Sequence, residues 1–289
     1  MAIAVFSLYQ SVDEAISQTF FGFLDYAGVK LTSTPPTKGL PGVDSPTPVL
    51  FGILAYLTAV ILGLQWIKSS GLKPRLHEPF LLQAFVILHN LFCLGLSLYM
   101  CLNISIRAFQ LNYALWGNAY DQHETLMAFY IYIFYMSKYP EFLDTIIMLW
   151  KRNTRQVSVL HVYHHVSIAF IWWLIAHHAP GGDAYFSAAI NSAVHVFMYL
   201  YYLLSALLRN NEKARRKYLF WGKYLTQLQM LQFLFNMIQA YYCIKLKPLC
   251  RQCPKKVRYT VMLEVSHENT AAVAVGIGRQ DRTLRIMLF

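Results

Sequence analysis

Long apolar runs, broken by short basic or Pro/Gly-rich stretches, set the pattern of this chain. Six segments, about 48–67, 80–102, 125–150, 157–176, 184–208 and 218–244, each reach the ~20 mostly apolar residues that a helix needs to cross a hydrocarbon core. The pattern predicts an all-α fold, a polytopic membrane helical bundle of about six transmembrane helices set in the lipid bilayer. Residues 1–47 read as an amphipathic segment followed by a linker, since "TSTPPTKGLPGVDSPTP" (32–48) is dense in Pro and Gly. Residues 48–244 read as the membrane domain and 245–289 as a basic tail. Acidic residues come early and no basic stretch precedes an apolar core at the N-terminus, so a signal peptide is not expected. No repeat and no separate soluble domain is visible.

Composition agrees with that pattern. The chain of 289 residues is 56% hydrophobic and only 13% charged, against roughly 25% charged residues in soluble domains. Its formal charge of +11 raises the question of a nucleic-acid partner. The distribution argues against one, because the basic residues cluster in alternate loops. "KSSGLKPR" and "KRNTR" carry three each and "RNNEKARRK" five, whereas 103–124 holds only Arg107 and "HHAPGGD" none. Such alternation places loops 68–78, 151–156 and 209–217 in the cytosol and the N-terminus on the opposite side. The cysteines form no zinc pattern: "CRQC" (250–253) lacks a second pair.

Polar groups inside the spans are few and grouped. Ionisable residues in hydrocarbon are expensive and mark function by default. Span three carries Lys138, Glu141 and Asp144, at every third residue, with Lys138 placed to pair with Glu141. Span four carries His161, His164 and His165 at i, i+3 and i+4, on one face. Span five carries Asn191, His195, Tyr199 and Tyr202, and span six Thr226, Gln229, Gln232 and Asn236. One such stripe reads as helix–helix glue; four of them predict a shared chamber. Counting along the helices puts His164 about 12 Å inside the cytosolic boundary at 1.5 Å per residue. The opposite halves of the spans are apolar and aromatic, which suits an amphiphile with an anionic head and a long tail.

Three chemistries compete for that chamber. A histidine-box di-iron desaturase or hydroxylase fits the HxxHH spacing, but needs more well-placed histidines than His161, His164, His165 and His195. A lipid or solute transporter predicts broken helices or inverted repeats at the midplane, and the polar groups favour one leaflet instead. Acyl transfer with carbon–carbon bond formation needs a nucleophile. No cysteine is placed near the histidine layer by helix position, which leaves imidazole to attack a thioester. A second histidine with an Asn is able to steady an enolate or oxyanion. By the same counting, His89 is alone in span two.

"KYPEFLDT", "HVYHH", "NSAVHVFMYLYY" and "TQLQMLQF" resemble, in order and spacing, the four signature motifs of the Elo-type fatty-acid elongases. Further stretches, among them "TKGLPGVDSPTP", "LWGNAY" and "HHAPGG", are similar to moss and liverwort polyunsaturated elongases, and the likeness runs from about 35 to 244. The resemblance implies an endoplasmic-reticulum multi-pass membrane enzyme, a very-long-chain 3-oxoacyl-CoA synthase that joins malonyl-CoA to a long, polyunsaturated acyl-CoA and releases CO2 and CoA. It implies no metal and no bound organic cofactor, with the reductases and dehydratase of the elongation cycle as partners. It further implies His161, His164, His165, His195, Asn191, Asp144 and Glu141 as catalytic residues, and Lys138, Tyr199, Tyr202, Gln229 and Gln232 as substrate-binding ones. Within that set we assign His164 as acyl acceptor, with His161 and His165 orienting it and Asp144 or Glu141 fixing a tautomer. His195 and Asn191 are assigned to malonyl decarboxylation, and the basic loops to the CoA phosphates. The seventh apolar span of the family has no counterpart in 245–289, where nine Lys/Arg stand against three acidic residues.

Overall fold

The computed structural model describes residues 2–26, 35–73 and 78–245. Nine helices and no strand are found among them. They are α1 (Ala2–Tyr26), α2 (Thr47–Ser69), α3 (Phe80–Gln110), α4 (Thr125–Met136), α5 (Lys138–Trp150), α6 (Val159–His178), α7 (Ala184–Leu207), α8 (Glu212–Tyr218) and α9 (Gly222–Lys245). The protein is thus a helical membrane protein. Four of the described helices, α2, α3, α6 and α7, are long and apolar enough to cross a bilayer, and most of each lies outside the packed interior. Side chains such as Leu54, Ile61, Leu88 and Leu91 point outward as a lipid-facing surface needs.

The other two expected spans differ from a plain apolar rod. The third is two helices, α4 and α5, parted at Ser137. Pro140 explains the break, since it has no N–H for the carbonyl of Met136 and its ring crowds that turn. The sixth, α9, has length enough at 24 residues, but Gln227, Gln229, Gln232, Asn236 and Gln239 interrupt its apolar sequence.

Helices α3 and α7 form the tightest pair. Ala206 packs against the cluster of Leu82 and Val86, Cys93 clusters with Met198 and Tyr199, and Tyr113, just past α3, meets Tyr185, so the two helices run antiparallel. Small buried residues, Cys93, Ser97 and Ala108 on α3 with Ala188 and Ser192 on α7, let the backbones approach. On the other flank, α2 packs on α5 and α6, and α9 packs on α7. The basic loops 68–73, 151–156 and 209–217 gather at one end, here the basic end.

The far end is plugged by the chain itself. Residues 35–46, part of the expected linker, fold into turns between α4 and α6, with Val43 and Thr37 fully buried. Trp173 Nε1 donates to the Val43 carbonyl at 3.1 Å, Thr37 Oγ1 to Ala176 at 2.5 Å and Tyr135 OH to Gly42 at 3.0 Å. Gly42 holds φ at 75°, a conformation that L side chains rarely adopt. Helix α1 is joined to this plug by the Ser45–Asp13 bond and by Phe20 and Phe21 against Trp173 and His177. Also at this end, Arg107 donates two bonds to Glu124, which caps α4 at the Met127 N–H. The guanidinium holds the Glu124 carboxyl below the ordinary range.

Candidate active site

The break at Ser137 starts the site. Ser137 turns its hydroxyl onto the Phe134 carbonyl and onto Glu141, and the next residue, Lys138, is 3% exposed. Lys138 Nζ donates to Glu141 Oε1 at 2.6 Å, reaches Asn191 Oδ1 at 3.4 Å and sits 4.1 Å above the Phe134 ring. The expected i, i+3 pair therefore forms, and it is buried, with Glu141 at 6% exposure. Across from it, His195 Nδ1 donates to the Asn191 carbonyl at 2.9 Å. That bond turns Nε2 toward Glu141 Oε2, 3.8 Å away.

One turn along α5, Asp144 has both oxygens occupied. His89 Nε2 lies 2.8 Å from Oδ1, and Tyr199 OH donates to Oδ2 at 2.8 Å. Three helices, α3, α5 and α7, meet on this carboxylate. His89, the lone histidine of its span, thus has its partner on α5, and Asp144 turns to His89 and Tyr199 rather than to the histidine box, while Glu141 turns to Lys138 and His195. Cys93 also lies closer to the polar residues than counting suggested, 3.7 Å from His89 Nε2, though on the α3 side. Tyr202 stands edge-on to Tyr199, beyond the carboxylate.

The box is set by a helix cap. Ser158 accepts from the His161 N–H at 3.1 Å, opening α6 one turn ahead of the histidines. His161 Nε2 meets Thr145 Oγ1 at 2.8 Å, and Thr145 in turn meets Tyr56 OH of α2 at 3.0 Å. A hydroxyl, not a carboxylate, thus fixes that nitrogen of His161. His165 packs by ring contact among His161, Tyr56 and Phe142 at centroid distances of 4.5, 6.0 and 6.2 Å. His164 lies 5.7 Å from the His165 ring and 6.0 Å from Phe233 of α9. Among the described residues, no hydrogen bond reaches the ring nitrogens of His164 or His165.

Helix α9 brings the last residues. Gln232 is buried at 9% exposure, and Gln229 Nε2 reaches Met198 Sδ of α7 at 3.7 Å. Nearer the far end, Gln239 donates to the Asp183 carbonyl at 2.7 Å and Ser187 donates to Gln239 at 2.8 Å. The polar stripe of α9 is its buried face. Bonds and ring contacts join the candidate residues in three groups: Lys138, Glu141, Asn191 and His195; Asp144 with His89 and Tyr199; and the three histidines of the box with Thr145. A groove of about 750 Å³ lies elsewhere, against α7 and α8, and is lined by Phe197, Leu204, Lys217 and Trp221 among others.

Sequence reasoning missed His89, Thr145, Tyr56 and Phe233. His89 carried a usable signal, since an ionisable residue inside a span needs a named partner. Thr145 follows Asp144 in the same motif. Tyr56 and Phe233 come from helices whose contact with the box is a matter of tertiary packing.

The model of the family described as ELO: GNS1/SUR4 matches residues 41–267. Among curated proteins, the chain is 40% identical over 220 residues to "Fatty acid elongase 6" of Leishmania major, covering 75% of this chain and 55% of that protein. It is 35% identical over 201 residues to "Very long chain fatty acid elongase 5" of Bos taurus, covering 68% and 63%. The human protein of the same name is 33% identical over 206 residues, covering 70% and 65%. The chain therefore spans somewhat more than half the length of these relatives.

Proposed function

Since the chain belongs to the ELO: GNS1/SUR4 family, we propose that it elongates fatty acyl chains, as the names of its relatives suggest. The reaction is a condensation of malonyl-CoA with a long, polyunsaturated acyl-CoA at the endoplasmic-reticulum membrane, giving a 3-oxoacyl-CoA. His164 is the acyl acceptor. The observation that carries this is its ring: it shares the box face, no hydrogen bond ties its nitrogens among the described residues, and it faces the half-exposed Phe233 of α9.

A neutral imidazole nitrogen attacks the thioester carbonyl, an acyl-imidazole forms, and the thiol of CoA leaves with the proton. Malonyl-CoA then loses CO2 to give an enolate. The enolate carbon attacks the acyl carbon, the new carbon–carbon bond forms as the acyl–nitrogen bond breaks, and the departing imidazole takes up one proton from the medium, replacing the one that left with CoA. His195, aligned by Asn191, and the ammonium of Lys138 supply positive character where the enolate oxygen develops charge. Thr145 and Tyr56 hold His161, which with His165 walls the nucleophile. Gln229 and Gln232 are proposed to meet the substrate from α9, with Tyr199 and Tyr202 behind the carboxylates.

The chemistry uses no metal and no bound organic cofactor. The reductases and dehydratase of the cycle act on the product. The test is direct: purified enzyme given acyl-CoA alone releases one CoA per chain in a burst, and malonyl-CoA then yields the 3-oxo product. Two irons per chain with chelator-sensitive activity would overturn this reading in favour of an oxygenase.

A further inference from the structure

One carboxylate joins three loops at the basic end of the bundle. Glu78, just ahead of α3, accepts from Arg209 Nη1 at 2.7 Å through Oε2, and its Oε1 lies 3.4 Å from Lys151 Nζ. Lys151 caps the C-terminus of α5, and Arg209 follows the last residue of α7 by two positions. The two cations therefore stand at the ends of the helices that carry Glu141 and Asp144, and Asn191 and His195. All three side chains are largely withdrawn from solvent, at 15% exposure for Glu78, 30% for Lys151 and 25% for Arg209. An exposed pair of long side chains contributes little. Here two cations share one acid in a half-buried corner, each at a helix C-terminus where positive charge is favoured.

We propose that Glu78 is an internal stand-in for a substrate phosphate. It occupies the Lys151–Arg209 pair while the site is empty, and a phosphate group of the CoA moiety displaces it on binding. The inference rests on the elongase reading. An ammonium and a guanidinium that converge on one carboxylate also suit a phosphate, which brings more charge and more acceptor oxygens than the carboxylate it replaces. Glu78 keeps the two cations from repelling each other in the empty enzyme. It also sets a threshold, because an anion must outcompete a tethered carboxylate to enter. That competition weakens binding of both substrate and product, which favours release of CoA.

The experiment compares Glu78→Gln with the parent in the full-length enzyme, held in lipid nanodiscs and supplied with malonyl-CoA and a C18 polyunsaturated acyl-CoA. Gln keeps an acceptor and removes the charge. The apparent KM for acyl-CoA is expected to fall roughly three- to tenfold with kcat within about twofold. Free CoA should bind tighter by a similar factor, and its affinity should depend more steeply on salt. Lys151→Gln and Arg209→Gln should raise the KM in either background. Asp25→Asn, the same charge change on the exposed side of α1, should leave it unmoved. An unchanged or higher KM in an active, folded Glu78→Gln enzyme would show that Glu78 only ties the loops together. If that variant fails to fold, Glu78→Asp, one methylene shorter, must lower the KM, and an unchanged value there also overturns the proposal. Loss of the elongase reading gives a different result: no condensation by any variant, whatever the affinity for CoA.

Discussion

On the α3–α5–α7 side of the site, one carboxylate takes bonds from two other helices, His89 Nε2 and Tyr199 OH each 2.8 Å from Asp144. On the α6–α9 side, His164 meets its neighbours by ring contact alone among the described residues. Both residues belong to the candidate site, yet one is tied at both oxygens and the other is untied. On the proposed function, the difference follows from what each must do. A buried carboxylate without partners is a large penalty in low dielectric, so it is satisfied completely. A nucleophile whose lone pair is already bonded cannot attack, so packing rather than hydrogen bonding holds it. In that reading the tied side is the frame and the untied side is the working face.

The largest expected effect tests the working face. His164→Ala should reduce product to background, a loss of at least about a hundredfold, while expression, membrane insertion and thermal unfolding stay near those of the parent. Near-normal elongation by that variant would place the acyl acceptor elsewhere. The complementary change tests the frame. Asp144→Ala leaves His89 and Tyr199 facing each other without their acceptor, at a cost of about 3–5 kcal/mol. Unfolding monitored in detergent should show that loss directly. If Asp144→Ala were as stable as His164→Ala, the division into frame and working face would fall.

Thr145 bridges the two sides, bonded to Tyr56 and to His161 and fully buried. Thr145→Val keeps the shape and removes the hydroxyl, leaving two partners unsatisfied for about 1–3 kcal/mol. Because the bond also orients His161, kcat should fall more than KM rises, and Thr145→Ser should restore both. A loss of stability with kcat unchanged would make Thr145 part of the frame only.

What the sequence made legible follows the same division. Spacing along one helix was enough for the Lys138–Glu141 pair, the shared face of the three histidines and the polar stripe of α9, because 3.6-residue periodicity survives tertiary packing. The Pro140 break and the buried turns of 35–46 were less legible. Pro in a long apolar run reads as tolerated in membranes, and Pro/Gly-rich segments read as solvent-exposed linkers. Partners across helices were not legible at all. His89 looked solitary because its acceptor, Asp144, is 55 residues away in sequence. Residues 246–289, nearly all of the expected basic tail, lie outside the described residues.

The smallest effect sets a second carboxylate beside Asp144. Glu124 is also tied at both oxygens, to Arg107 Nε at 2.9 Å and Nη2 at 2.7 Å, and it caps α4 through the Met127 N–H at 3.0 Å. It stands at the far end of the bundle, where water competes for the same bonds and screens the pair. Glu124→Gln keeps a cap and loses the charge, so we expect a loss of only about 1 kcal/mol near neutral pH. The sign of its pH dependence is fixed by the lowered carboxyl pKa, for which the Arg107 bond is the main cause. A carboxyl depressed in the folded state stabilises it above its unfolded pKa of ~4.3, and that contribution is lost as pH falls through the lower, folded value. The stability difference between the parent and Glu124→Gln should therefore be constant from pH 7 down to about 5 and shrink below that. Melting curves of both proteins across that range measure it. A difference that persisted undiminished in acid would mean that the cap's shape, not the ion pair, holds the start of α4. A difference as large as that of Asp144→Ala would mean that depth in the bundle does not separate the two carboxylates.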